Sequence, residues 1–487
     1  MRNANPLPSL PVRAAFAAVL FVALGGCVLP PAESARTAAL TPERVGLTGA
    51  AATPAAADWW QSFEDPQLDR LIRRGLDASP TLARARARVA DALAQTDSAR
   101  AKLLPSASLD ASAFYQRAPQ NYVIPPPLAG HSFWMGQAGA SLVWDLDFWG
   151  RQADAVKQAG ALTQSAQLDG ENARLMLAGA IVQSYVELYR ESALADIAER
   201  SESQRQNIVN ITRRRVTAGL DTRLELRQAE GQLPQARVVR AQAAAAAELA
   251  VHELATLTGQ GADAYASIRR PVFDVDAALP LPTALPINLL ARRPDVLAAR
   301  AAVAAADAGR LADRAAFYPD VNLRALAGIG AFGLGNLIDW SSRGYGAGPL
   351  LSLPLFDGGR LRAQYRGSEA RLDAAVADYD ATVLHAVQQT ADQMTRLDAL
   401  AHERVDQQQT LDATEDAYRL AEERYTAGLA SYLSVLNAET QVLTARQTMV
   451  DILANQAVAR VTLLLAVGGS FDPPIANTPE FLTRTSP

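Results

Sequence analysis

Between Gln137 and Arg151 the chain reads QAGASLVWDLDFWGR, and within that stretch the period of the sequence changes. Ala138, Ala140, Leu142, Trp144, Leu146 and Phe148 alternate with Gln137, Gly139, Ser141, Asp145 and Asp147, which sets an apolar face against a polar one in a β-strand. After Gly150 the alternation stops. From about 150 to 216 there is no proline and little glycine, and Leu168, Leu175, Val182 and Tyr189 recur every seven residues. That spacing predicts one helix of roughly 65 residues, about 100 Å long, packed as in a coiled coil.

The same order appears twice along the chain. Thr81 to Leu104 is a helical pattern stopped by Pro105, and Ala107, Leu109, Ala111, Ala113 and Tyr115 then alternate with Ser108, Asp110, Ser112 and Gln116. An offset of 209 residues sets Arg151 on Arg360, Gly219 on Gly428 and Gly259 on Gly468. Under it Thr217-Ala218-Gly219-Leu220 falls on Thr426-Ala427-Gly428-Leu429, and Leu224, Ala229, Glu230 and Gln232 fall on Leu433, Ala438, Glu439 and Gln441. The halves are structural repeats, 66–259 and 285–468, joined by a connector at 260–284 and followed by a tail at 469–487. The first repeat predicts strands at about 107–116 and 137–148, a long helix at about 150–216, a turn at 217–222 and a return helix at 222–258. The second predicts strands at about 321–331 and 345–356, a long helix at about 359–425, a turn at 426–431 and a return helix at 431–466. The return helix shows a heptad at Leu436, Leu443, Val450, Ala457 and Leu464.

Segments of about ten residues with this alternation are the pattern of transmembrane β-strands. Four strands cannot close a barrel, for which about eight is the practical minimum, so other copies of the chain must complete it. The short first helix and the return helix, stacked end to end, nearly match the long one. Each repeat would then supply one long and one composite staff to a hollow helical cylinder.

The first residues have another character. Arg2 and Arg13 precede an uncharged stretch, Ala14 to Leu24, too short to span a bilayer and suited to a signal peptide over 1–26. Leu24-Gly25-Gly26-Cys27 resembles the lipobox, whose cysteine is diacylated, and Cys27 is the only cysteine in the chain. The region 27–65 then reads as lipid anchor and linker. Val28 rather than aspartate follows the cysteine, and by the same resemblance this implies the outer membrane.

Composition and motifs exclude other classes. The 487 residues carry a net charge of −5 with signs interspersed, so no basic stripe proposes nucleic acid as a partner. Gly328-Ile329-Gly330-Ala331-Phe332-Gly333 has the glycine spacing of a dinucleotide site, but Leu334-Gly335-Asn336 and a further strand follow where a helix should open. A glycine-rich hairpin loop fits instead. His131, His252, His385 and His402 show no metal-ligand spacing, and no serine sits in a nucleophile elbow. No cofactor, metal or catalytic residue is expected.

Ser141 to Arg151 resembles the strand-to-helix signature of the outer-membrane efflux family, the TolC-like and NodT-type lipoproteins. Leu353-Pro354-Leu355-Phe356-Asp357-Gly358-Gly359-Arg360 resembles its counterpart in the second repeat. Arg292-Arg293-Pro294-Asp295-Val296 is similar to the start of that repeat's first helix, and Arg424 to Leu429 to the family's helical tip. The resemblance covers residues 60 to 468. It implies a mixed α and β membrane protein: a trimer whose twelve strands form a barrel continuous with a twelve-helix periplasmic tunnel. It implies a passive export duct, docked to a periplasmic adaptor that also grips an inner-membrane pump, often of the resistance-nodulation-division class. A protein-secretion channel shares the fold, and a lipid-anchored scaffold without a pore is the reading from another class.

The family's adaptor-contacting turns match Ala218, Gly219, Leu220, Asp221 and Thr222 in the first repeat and Ala427, Gly428, Leu429, Ala430 and Ser431 in the second. Where the family often rings its closed tip with carboxylates, this chain has Ser434 and Asn437. Polar contacts through Arg424, Tyr425 or Asn437, or through Glu225 and Arg227, would hold the gate instead.

Overall fold

The structure is a computed structural model, and it describes residues 39–47, 50–51, 55–121, 123–272, 276, 279 and 281–472. The signal peptide expected over 1–26, the acylation site Cys27, the linker as far as 38 and the tail beyond 472 lie outside the described residues. Seven long helices and four strands follow in the order α1 (Pro66–Ala78), α2 (Pro80–Ala101), β1 (Ser106–Arg117), β2 (Ser132–Asp145), α3 (Arg151–Thr217), α4 (Arg223–Leu257), α5 (Pro294–Ala315), β3 (Asp320–Phe332), β4 (Arg343–Ser352), α6 (Arg360–Thr426) and α7 (Tyr432–Ala466). They fall into two compact units, one containing Val89–Ser165 and Ala299–Asp378, the other Ala39–Arg88, Ala166–Ala298 and the described residues from 379 onward.

The first unit holds one antiparallel sheet in the order β1-β2-β3-β4. Its register lines Leu109, Ala140, Ala327 and Tyr345 in one row and Ala107, Leu142, Ala325 and Ala347 in another, so one face is apolar along these rows, with Arg117, Ser132 and Arg343 at its far end. The opposite face carries Asp110, Gly139, Gly328 and Gly344 in a single row. A Cβ on Gly328 would stand 2.6 Å from the Ala138 carbonyl oxygen, so glycine there serves close strand approach. Gly328 and Gly330 are therefore strand residues, and only Gly333 of the glycine-rich run belongs to the loop. Leu109, Leu351 and Tyr345 on the apolar face are exposed, and among the described residues the outer edges of β1 and β4 have no partner strand.

Three strand boundaries differ from expectation by more than two residues. Strand β2 begins at Ser132, five residues before 137, because Phe133, Trp134 and Met135 put bulky apolar groups on both faces and erase the alternation. It ends at Asp145 rather than 148, since Asp147 adopts a left-handed φ of 35° and turns the chain. The Asp147 carboxylate then accepts the N–H groups of Gln152 (2.9 Å) and Ala153 (2.8 Å), satisfying donors at the start of α3. Asp357 does the same for α6 through Gly359 (3.0 Å) and Leu361 (2.8 Å). In β4 pairing stops at Ser352, two residues before Pro354, not at 356.

The second unit has two apolar cores. In one, Trp59, Phe63, Leu68 and Ile72 pack with Leu175, Ile181 and Tyr185 of α3, Leu254 of α4 and Val461 and Leu464 of α7. The segment from Ala55 to Phe63, expected to be linker, is thus core. Each such large side chain contributes about 1.5–3 kcal/mol by burial. Helix α1 starts because Asp65 accepts the Gln67 N–H (2.7 Å) and Pro66 takes the first helical position. Gln67 also exchanges hydrogen bonds with the backbone of Arg269 (2.8 and 2.9 Å), which pins the connector. In the other core Ile208 and Val209 of α3, Leu233 of α4, Tyr418 and Tyr425 of α6 and Tyr432, Val435 and Val442 of α7 meet.

Along α7 the seven-residue period holds, with Ala457 and Leu464 of the expected row buried, but in the first half of the helix its phase is displaced by one. Val435, Val442 and Met449 are buried, whereas Leu436, Leu443 and Val450 are half-buried. Both stripes are apolar, and the sequence does not say which of two adjacent rows faces the other helices of the same chain. Helix α7 is also apolar enough by length and composition to cross a membrane, yet its side chains are largely committed to the two cores.

Candidate functional site: the paired helical turns

Helices α3 and α6 end alike. Gly219 (φ 73°) and Gly428 (φ 82°) take left-handed backbones that side chains disfavour. Their N–H groups donate to the carbonyls of Val216 and Tyr425 (3.0 Å each), and those of Leu220 and Leu429 donate to Arg215 and Arg424 (2.9 and 2.7 Å). This double closure satisfies the last carbonyls of each helix and reverses the chain within a few residues.

The return helices begin differently. Thr222 accepts the Leu224 N–H (3.2 Å) while Glu225 accepts the Thr222 N–H (2.9 Å), a complete capping box. Ser431 makes no capping bond with its side chain, and its hydroxyl lies 3.2 Å from that of Ser434.

A buried polar cluster ties the first turn to the end of α6. The Arg215 guanidinium donates from Nε to Asp221 Oδ2 (2.8 Å), from Nη2 to Asp221 Oδ1 (3.1 Å) and from Nη1 to the Tyr425 carbonyl (2.7 Å). It also lies 4.6 Å from the centroid of the Tyr425 ring. The Tyr425 hydroxyl donates to Asp221 Oδ2 (2.7 Å) and accepts from Thr212 (2.8 Å). Hydrogen bonds from Arg215 hold the Asp221 carboxyl below the usual carboxylate range. Burial, helped by the bond to Asp221 and opposed by Thr212, pushes the Tyr425 phenol up to about 12. At neutral pH the cluster is one cation, one carboxylate and one neutral phenol, each hydrogen-bonded, which is the condition for burying them without large cost.

Farther along the bundle a second polar contact joins three helices. Arg205 of α3 donates to Glu439 of α7 (3.0 Å) and to the carbonyl and side-chain oxygens of Gln232 of α4 (3.1 and 3.0 Å). Burial raises the Glu439 carboxyl and Arg205 opposes it.

Of the residues expected at the gate, only Tyr425 enters a buried contact. Glu225 is occupied as a helix cap. Arg227 is exposed and pairs with Glu230 of its own helix (2.8 Å). Arg424, Ser434 and Asn437 are exposed, and Arg424 has no ion pair among the described residues. Asp221, expected in the docking turn, points its carboxylate inward. Sequence reading missed Arg215 and Thr212. The repeat offset carries a signal for them, because Thr212, Asp221 and Tyr425 fall on Ala421, Ala430 and Val216, so the cluster interrupts the repeat.

What the turns offer outward is apolar. Leu220 and Leu224 in the first hairpin are each 64% exposed, and their counterparts Leu429 and Leu433 are 71% and 60% exposed. Among the described residues no group of three or more histidine, cysteine or acidic side chains is placed to hold a metal ion.

Two stretches, 71–260 and 285–469, match the family described as outer membrane efflux protein. The chain is 38% identical over 320 residues to the fusaric acid resistance protein FusA of Burkholderia cepacia, an alignment covering 65% of this chain and 60% of that protein. It is 31% identical over 469 residues to the multidrug resistance outer membrane protein MdtP of Escherichia coli K12, covering 92% and 94%. Among solved structures, the outer membrane protein VceC of Vibrio cholerae superposes with a TM-score of 0.81 at 32% identity, over 86% of this chain and 100% of that one.

Proposed function

This chain belongs to the outer membrane efflux protein family, and on that premise we propose that it is the outer-membrane channel of a tripartite efflux system. It is a passive duct for small molecules that catalyses no reaction. The observation that carries the reading is the open sheet. Four strands with an exposed apolar face run into two 67-residue helices, and such a face is suited to lipid.

The working form is a homotrimer of twelve strands and twelve helical staffs, because only added copies supply partners for the edges of β1 and β4. The first helix and the return helix of each repeat stack to form the composite staffs. Cys27 carries the lipid that holds the chain at the outer membrane. The exposed leucines of the two turns dock a periplasmic adaptor, and that adaptor joins the duct to an inner-membrane pump, which supplies the energy. The Arg215–Asp221–Tyr425 cluster is the latch of the closed tip, since parting α6 from the first turn breaks its hydrogen bonds.

The test is Leu429→Glu in a strain whose export depends on this chain. The residue is largely exposed, so abundance and trimer content in detergent should match wild type while cross-linking to the adaptor and export both fall. Normal cross-linking and normal export from the folded variant would refute the docking role. A monodisperse monomer with intact secondary structure would refute the duct.

A further inference from the structure

The loop between β3 and β4 has a fixed shape and a definite side. Gly333 (φ 85°) donates its N–H to the Trp134 carbonyl (2.7 Å), and the Ser342 hydroxyl donates to the Asn336 carbonyl (2.7 Å), so residues 333–342 form a closed structure with two short helical turns. A Cβ on Gly136 would meet the methyl groups of Leu334 at 3.0 Å and of Leu337 at 3.2 Å. Gly136 lies opposite Ala113 and Ala331, on the face shared with Trp134 and Ala138. The loop therefore folds over the apolar face of the sheet, and the missing side chain at 136 makes its seat.

Seated there, the loop shows aromatic and apolar groups beside one cation. Ile338 is 80% exposed, Trp340 79% and Tyr345 90%. Arg343 opens β4 opposite Ile329, so its side chain leaves the sheet on the same apolar face. Its guanidinium carbon stands over Trp340, 3.5 Å from the ring centroid. Among the described residues it has no carboxylate partner, and Asp339, the only carboxylate of the loop, forms no ion pair. A guanidinium on a lipid-facing surface is costly at the middle of the bilayer and tolerated at the headgroup level, where tryptophan and tyrosine also concentrate. Stacking on the indole leaves the N–H edges free, and their fork matches a phosphate.

We propose that the 333–342 loop is a lipid-contact foot at the cell-surface rim of the barrel, in which Arg343, held on Trp340, binds the phosphate of an outer-leaflet glycolipid headgroup. The proposal rests on the duct reading, which places the strands in the outer membrane. Charge complementarity and continuity with the apolar face of the strands select a phosphorylated lipid over a protein.

The experiment uses the full-length chain purified in detergent and titrated with bisphosphorylated lipid A, with lipid A stripped of its phosphates, and with inorganic phosphate as competitor. Bound lipid is counted by native mass spectrometry. Arg343→Ala should weaken lipid A binding about fivefold and Arg343→Glu more, with Arg343→Lys intermediate. Removing the phosphates should erase the difference between variants, and inorganic phosphate should not displace the lipid. Equal binding by wild type and Arg343→Glu, or equal binding of dephosphorylated lipid, would overturn the proposal. So would displacement by inorganic phosphate, which would indicate a simple anion site. Loss of trimer in Arg343→Glu would also overturn it, placing the residue between copies of the chain. Conductance of the wild-type preparation tests the duct reading separately, since it fails or succeeds whatever Arg343 does.

Discussion

The turns at Gly219 and Gly428 have the same backbone closure and opposite surroundings. At the first, a capping box fixes the return helix and Asp221 is drawn into a buried cluster with Arg215 and Tyr425. At the second, Ala430 stands where Asp221 would be, Ser431 caps nothing with its side chain, and Arg424, the counterpart of Arg215, is exposed. A repeated sequence thus preserves the geometry that reverses the chain and lets the side chains diverge. On the proposed reading of the tip, the anchored turn would be the fixed jaw and the plain one the part free to move.

That asymmetry is easiest to break at its center. Asp221→Ala leaves the Arg215 cation buried without its carboxylate and should cost about 3–5 kcal/mol in the tip, read as a lowered unfolding midpoint and a raised conductance in bilayers. Arg424→Ala, the matching change at the other turn, should stay within about 0.5 kcal/mol and leave conductance alone. Equal effects would mean that the two turns are energetically alike.

The pH dependence sharpens the contrast. The folded-state pKa of Asp221 lies below its ordinary 3.8, so its stabilisation is complete above that value and is lost as pH falls through the lowered pKa. Tyr425 is raised from 10 to about 12, so its contribution is complete below pH 10 and is lost as pH rises toward 12. The contribution of the cluster should therefore be insensitive between these limits and should weaken outside them. Conductance of wild type minus that of Asp221→Asn, measured across pH, isolates the acid limb. A difference that changes near neutrality would contradict the assignment.

The caps give the smallest expected difference. Thr222→Ala should cost about 1 kcal/mol, whereas Ser431→Ala, which loses no capping bond, should cost less than about 0.5 kcal/mol. Hydrogen exchange in the first turn of α4 and of α7 would report each separately, and matching changes would remove the distinction.

How much of this the sequence shows depends on distance along the chain. Alternation over a few residues and a heptad over several turns are local, and they suffice for the strands and the long helices. Helix α1 was equally local. Leu68, Leu71 and Ile72 have helical spacing after the Asp65-Pro66 start, whereas the alanine- and proline-rich stretch before it carries no such period. The phase along α7 is not local, because the choice between Val435 and Leu436 depends on where α3, α4 and α6 stand. The buried cluster is least legible of all. Thr212, Arg215 and Asp221 lie close in sequence, but Tyr425 comes more than 200 residues later. Only its failure to repeat hints that it belongs with them.

The edges of β1 and β4, without a partner strand among the described residues, also bear on the order of events in biogenesis. Within a bilayer the amide and carbonyl groups along such an edge have no water to turn to, and each one left open costs several kcal/mol. A lone protomer is therefore a poor passenger for the hydrocarbon layer and a good template for the wrong strand. If other copies complete the ring, as proposed, its closure and its entry into the membrane would have to be a single event. Folding helpers in the periplasm would then be needed less to shape the chain than to keep copies apart until enough of them meet.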